Sequence, residues 1–295
     1  MTDVKGIQLY DLHSHWGTKR GYPLRTPEEL VQQEKVWRSK PQYATEQEMA
    51  DYFRKNRVKV ILDFGFTKTL PIEEARQYHD YALETQKKHP DVIFGHWLQI
   101  DPRSGAAGLA ELKRCVQAGG GFIGLAISGA SSGFAPDDPI YEPFYSYCTE
   151  ARVPVLILVG YTGLGAGIRG GKGVKLELCH PRYLDAVAIS YPDLKIIAGR
   201  SAWPWQEEMI AVLLHKPNIW YELHGWSPKY LTDSLKRDIS RRLKDRVMFG
   251  ADYPLFQYER LVSDWQSEGY SSEILEKLFY KNAESFFSRL KLGTL

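Results

Sequence analysis

Short apolar runs alternate with amphipathic stretches along the whole chain. The runs are Gly6–Leu12, Val58–Asp63, Val92–Leu98, Phe122–Ile127, Val153–Val159, Leu194–Ala198, Asn218–Leu223 and Arg246–Ala251. They are rich in β-branched residues and mostly apolar on both faces, the pattern of strands covered on both sides in a parallel sheet. Between them the spacing predicts helices. Thr26-Pro-Glu-Glu29 and Thr45-Glu-Gln-Glu48 are capping boxes, the first with Pro at the first helical position. Pro71–Lys88 opens on Pro and closes on Lys87 and Lys88, where the helix dipole favours cations. Ala106–Gln117 runs into Gly119-Gly-Gly121, a C-cap signal. Helices near 139–151, 181–190, 205–215 and 228–243 fill the remaining gaps.

Eight strand-then-helix units predict an α/β fold of the (β/α)8 TIM-barrel type. A doubly wound open sheet is the alternative. It would carry a phosphate-binding GxGxxG after its first strand, where this chain has Asp11-Leu-His-Ser-His15. No Pro/Gly-rich linker divides the chain, so residues 1–295 read as a single domain. Pro254–Leu290 adds extra C-terminal helices beyond the eighth strand.

Composition narrows the function classes. Of 295 residues, 43% are hydrophobic and 25% charged, which excludes global disorder. Lys and Arg number 38 against 36 Asp and Glu, with no block of one sign, so neither nucleic acid nor a membrane surface is expected as partner. The longest apolar stretches are strand-sized, short of the ~20 residues of a membrane helix. The first residues lack the apolar core of a signal peptide, and Cys115, Cys148 and Cys179 are odd in number and widely spaced. Reduced thiols and a cytoplasmic location are expected. Eighteen Tyr and eight Trp can fill a core and also line a pocket for a flat or apolar small molecule.

In such barrels the chemistry sits at the C-terminal strand ends. Strand one ends in His13 and His15, which two-residue spacing sends to the same side. Converging imidazoles suit zinc, manganese or iron, although two solvated loop histidines would share the spacing. Strand eight ends in Phe249-Gly-Ala-Asp-Tyr-Pro254. A carboxylate there needs a partner, because burying it alone is costly. Barrel closure sets strand eight beside strand one, so Asp252 is expected next to His13 and His15, and the three together read as a metal site.

These residues carry a resemblance. The strand-one Asp-Leu-His-Ser-His, the strand-five Pro-Val-Leu-Ile, the strand-six Tyr-Pro-Asp-Leu-Lys-Ile-Ile with Trp203-Pro-Trp205, and the final Gly-Ala-Asp-Tyr-Pro resemble the amidohydrolase superfamily, from Leu9 to about Trp265. They look most like its amidohydrolase-related (amidohydrolase-2) branch, which holds metal-dependent hydrolases together with decarboxylases and other lyases of aromatic acids. The resemblance implies one divalent ion (Zn, Mn or Fe) on His13, His15 and Asp252, a small carboxylate-bearing substrate, and a homodimer. Asp252 would bind metal or act as base.

The departures from that pattern matter as much. The resemblance leads one to expect His at the ends of strands five and six, where this chain has Leu158 and Arg200. Strand four has Ala126 and Ser128 in place of the usual polar residues. Arg200 stays cationic and cannot replace imidazole, so it is expected to clamp an anionic substrate group. His224, two residues after Glu222 on strand seven, could reach the metal or act as acid and base; a loop histidine bonded to a carbonyl is the alternative. Trp16, Tyr161, Trp203 and Arg169 complete the expected substrate contacts. Arg169 belongs to the glycine-rich loop Gly160–Gly173, which equally reads as a flexible lid. Hydrolysis is the leading expectation, with decarboxylation or C–C cleavage next. A metal-free enzyme or a non-catalytic ligand-binding protein remains open.

Overall fold

The computed structural model describes residues 6–23, 26–38, 42–118 and 121–290. Eight parallel strands form one sheet in the order β1-β2-β3-β4-β5-β6-β7-β8. They are β1 (Leu9–His15), β2 (Val58–Asp63), β3 (Ile93–Leu98), β4 (Phe122–Ile127), β5 (Val155–Leu158), β6 (Ile196–Gly199), β7 (Ile219–Glu222) and β8 (Val247–Met248). Main-chain bonds close the barrel. Leu12 N–H donates to the Phe249 carbonyl (3.0 Å), Asp252 N–H to that of His13 (2.9 Å) and His15 N–H to that of Tyr253 (2.7 Å). The TIM-barrel expectation and the single domain over the described residues both hold.

The helices are α1 (Pro27–Trp37), α2 (Glu46–Lys55), α3 (Ile72–Lys88), α4 (Gly105–Gln117), α5 (Gly129–Ser132), α6 (Glu142–Glu150), α7 (Arg182–Ser190), α8 (Gln206–His215), α9 (Asp233–Ile239), α10 (Tyr258–Gln266), α11 (Ser272–Glu276) and α12 (Asn282–Leu290). The Thr45 capping box is formed on both sides. The Gly119 and Gly120 part of the C-cap signal lies outside the described residues. Short α5 was not anticipated. The helix expected over 228–243 reduces to α9, because Thr232 caps a fresh start by accepting from Leu235 N–H.

Two strand ends differ from expectation. β1 runs to His15, three residues past Leu12, although Asp11, His13, Ser14 and His15 are polar. They stay in the strand because Asp11 is saturated: its carboxylate accepts from His13 N–H (3.1 Å), Ala251 N–H (3.0 Å), the Ser14 hydroxyl (2.5 Å) and the Tyr258 hydroxyl (2.6 Å). β8 has only two regular residues, since the chain past Met248 turns its bonds toward β1.

One apolar cluster joins the strands to the surrounding helices. A second fills the barrel with Leu12, Ile61, Trp97, Ile123, Leu156, Ile197 and Met248 and meets α12 at its floor. Phe287 stacks on Tyr10 (centroids 5.6 Å apart) and Phe286 meets Trp220 edge-on at 4.8 Å. Phe279, Phe286 and Phe287 are thus buried within their own chain. The apolar side chains of Phe286 and Phe287 are spent on plugging the barrel floor. Among the described residues no helix is long and apolar enough to cross a membrane. The three cysteines are buried free thiols.

Candidate active site

A cleft of about 360 Å³ opens at the C-terminal mouth of the barrel. Its base is an array of polar side chains linked to one another. His13 Nε2 lies 2.7 Å from Asp63 Oδ2, and His15 Nδ1 lies 2.5 Å from Asp63 Oδ1. His15 Nε2 faces Asp252 Oδ1 at 3.2 Å. Asp63, the last residue of β2, also accepts from Gln99 Nε2 at 2.5 Å, and Lys68 Nζ donates to Gln99 Oε1 at 2.7 Å. On β7, His224 Nδ1 stands 2.5 Å from Glu222 Oε2, with both residues wholly buried.

These contacts set the protonation states. Burial opposes charge on His15, but Asp63 and Asp252 outweigh it and raise its pKa to about 10. Burial likewise opposes ionisation of Asp63, yet His15 and His13 hold its carboxyl well below the usual range. Asp252 is lowered as well, its burial offset by the bond and charge of His15. Glu222 goes the other way: burial, then the charges of Asp11 and Asp252, push it well above a normal carboxyl. Burial, then His13 and Arg200, keep His224 neutral. The site therefore holds an imidazolium between two carboxylates, beside the buried Glu222–His224 pair.

At this site two trios offer ligand atoms within 4.8 Å of one another: His13, His224 and Asp252, and His13, His15 and Asp63. The expected set of His13, His15 and Asp252 is divided between them. The fit to a cation is chemical as well as geometric. His13 Nδ1 and His224 Nε2 are buried without a hydrogen-bond partner, and two imidazoles with a carboxylate form a familiar donor set for a divalent ion.

Arg200 lines the cleft. Its Nη1 is buried and has no hydrogen-bond partner. Arg200, Ala202 and Asp252 carry φ values of 77°, 55° and 63°, left-handed backbone that is uncommon for residues with side chains. Leu158 also lines the cleft and is the apolar patch expected there.

Tyr161, Trp203 and Trp226 form an aromatic wall, each ring about 6 Å from the other two (5.9, 6.2 and 6.0 Å). Tyr161 N–H donates to the Trp203 carbonyl at 2.7 Å, fastening the β5 and β6 loops together. A side chain at Gly160 would meet Ala202 Cα at 2.6 Å, so that approach requires glycine. Trp203 is 45% exposed at the outer edge.

Three expected substrate contacts do not line the cleft, and Trp203 is one of them, reaching it only through Tyr161 and Trp226. Trp16 is fully buried, stacked on Phe64 at 4.8 Å, and is a core residue because its ring turns to the helix layer rather than the mouth. Arg169 is exposed and does not line the cleft. Sequence reasoning passed over Asp63, Gln99, Lys68 and Trp226. Asp63 did leave a signal: like Asp252, it is an acidic residue ending an apolar strand.

A family model described as amidohydrolase (Amidohydro_2) matches residues 11–289. No curated protein matches the chain. Among solved structures, a TIM-barrel protein from Bordetella bronchiseptica superposes with a TM-score of 0.74 at 17% identity, covering 96% of this chain and 99% of that one. A 5-carboxyvanillate decarboxylase from Novosphingobium aromaticivorans, complexed with manganese and 4-hydroxy-3-methoxy-5-nitrobenzoic acid, gives 0.72 at 17% identity, covering 96% and 97%. A 2,6-dihydroxybenzoate decarboxylase from Rhizobium gives 0.68 at 16%, covering 96% and 99%.

Proposed function

We propose, on the premise that this chain belongs to the amidohydrolase (Amidohydro_2) family, that it is a metal-dependent enzyme removing the carboxyl group of a small aromatic acid without oxidation. Arg200 is the observation that carries this reading. A permanent cation with a buried, unpartnered nitrogen calls for an anionic ligand, and the wall of Tyr161 and Trp226 beside it suits a flat ring. A divalent ion, held by His13, His224 and Asp252, would supply Lewis-acid stabilisation of negative charge on substrate oxygens.

The chain's own residues account for the rest. In decarboxylation the bond from ring to carboxyl breaks, CO2 leaves, and the electron pair stays on the ring carbon, which must take a proton. His15 is the donor at hand, kept protonated by Asp63 and Asp252 and partly open to solvent for recharging. Leu158 favours the loss of charge as carboxylate becomes CO2. Arg200 then stabilises an anionic group that remains on the ring.

Hydrolysis, the leading expectation from sequence, is the second reading. Asp252 supports it, since its ionised carboxyl could take a proton from water. The two decarboxylases act on substituted benzoates, which defines the test. Protein loaded with Mn²⁺ and offered 2,6-dihydroxybenzoate, 5-carboxyvanillate and related benzoates should release CO2 and the matching arene. Cleavage of ester or amide substrates without CO2 would move the assignment to hydrolysis. Neither activity, with benzoates still bound, would make it a ligand-binding protein.

A further inference from the structure

Leu158 and Arg200 leave β5 and β6 without the imidazoles that the sequence resemblance leads one to expect, and β7 supplies one instead. We propose that His224 is a protein ligand of the divalent ion together with His13 and Asp252, and that Glu222 is the positioning residue that aims it. The inference rests on the metal-dependent reading above and specifies how this chain builds that site.

The two convergent trios differ in what their nitrogens already do. In His13–His15–Asp63, both nitrogens nearest the carboxylate are engaged, at 2.7 and 2.5 Å. His224 Nε2 is sealed from solvent and has no partner, while its ring lies 3.8 Å from that of His13. Buried polar atoms are almost always satisfied, and a cation between His224, His13 and Asp252 would satisfy this one.

Glu222 fixes which nitrogen faces inward. It lies two residues before His224, and its Oε2 is 2.5 Å from Nδ1, leaving Nε2 for the site. A carboxylate behind an imidazole in this way sets its tautomer and ring orientation as a ligand. Strand register puts Glu222 level with Gly199, which precedes Arg200, and with Leu158, which stands where the strand-five histidine is expected. β8 makes room for it: a side chain at Gly250 would fall 1.8 Å from Glu222 Oε1 and 2.8 Å from His224 Cβ. The strand-seven pair is therefore packed as one unit, with a glycine reserved for it.

The test is metal binding rather than turnover. Protein stripped with chelator and titrated with Co²⁺ or Mn²⁺ gives stoichiometry, affinity and, for cobalt, a visible spectrum. His224→Ala should weaken binding by about 100-fold or more and alter the cobalt spectrum, while His15→Ala should change affinity less than about tenfold. Glu222→Ala should cost about 10- to 100-fold, and Glu222→Gln, which keeps an acceptor oxygen, should recover most of that loss. His224→Gln serves where the alanine variant does not fold. Wild-type affinity and spectrum in folded His224 variants, or abolition of binding by His15→Ala alone, would overturn the assignment. So would a wild type that takes up no divalent ion at saturating concentration. Glu222→Gln as weak as Glu222→Ala would remove the positioning role. A wild type that binds the ion through His224 yet releases no CO2 overturns the decarboxylase reading and leaves this inference standing.

Discussion

The His15 imidazole stands with Nδ1 2.5 Å from Asp63 Oδ1, though the two residues end different strands. Asp63 is fully buried, and it holds His15 in place while keeping it charged. Removing one partner of a buried pair leaves the other uncompensated. Asp63→Asn should therefore cost on the order of 3 kcal/mol in unfolding free energy. It should also lower kcat about 100-fold or more, because the proton donor loses both aim and charge. Denaturant unfolding and steady-state kinetics measure the two effects. Wild-type kcat in a destabilised variant would confine Asp63 to a structural role.

Arg200→Lys keeps the positive charge but loses the planar fork. If Arg200 binds an anionic substrate group through two parallel bonds, kcat/KM should fall about tenfold or more, equivalent to about 1.4 kcal/mol. Arg200→Gln should cost more, since charge is lost as well. Equal kcat/KM for the lysine variant and wild type would show that only a point charge, or nothing, is needed at this position.

The barrel was legible because its signal is local. Apolar runs with alternating helices mark each unit without knowledge of distant partners, and all eight strands overlap their expected spans in all or most of their residues. The apolar run of β1 stops at Leu12, and the polar His13, Ser14 and His15 stay regular strand because Tyr258 and Ala251, far away in sequence, satisfy the Asp11 carboxylate beside them. Asp63 was passed over for a related reason. One acidic residue at a strand end reads as a helix cap until two histidines from the neighbouring strand are seen to converge on it. Trp16 erred in the opposite direction: adjacency to His15 suggested the mouth, whereas its ring packs with Phe64 and Tyr81 outside the barrel. His13, His224 and Asp252 are separate in sequence, and only closure between β7, β8 and β1 makes them one site.

The aromatic plug predicts a stability effect remote from the site. Phe287 stacks on Tyr10 and meets Phe94 at 5.4 Å beneath the barrel. Phe287→Ala should cost about 3 kcal/mol through lost burial and the cavity left behind. The site is at the other end of the barrel, so metal affinity and KM should stay within about twofold below the unfolding transition. A thermal melt with a metal titration checks both. An unchanged melting temperature would mean that α12 does not close the barrel floor in solution.

His96 sets one part of the acid response of the fold. It lies inside β3, wholly buried between Trp16 and Phe122, and burial pulls its pKa down to about 3. An unfolded histidine titrates near 6.5. Between those values the unfolded chain takes up a proton that the native state refuses, so stability must fall as pH drops from about 6.5 toward 3. The slope for this one group approaches 1.4 kcal/mol per pH unit, and above about pH 7 the group contributes no dependence. Asp63 and Asp252, whose pKa values are depressed, add losses of the same sign, but only at lower pH, where unfolded carboxyls begin to protonate. His96→Leu isolates the histidine share. Its unfolding free energy should lose about 1 kcal/mol less than wild type for each unit between about pH 6 and pH 5, as read by urea denaturation. Parallel losses in the two proteins would mean that His96 is protonated in the native state, or reached by water, and that the acid sensitivity comes from other groups such as His224, Asp63 and Asp252.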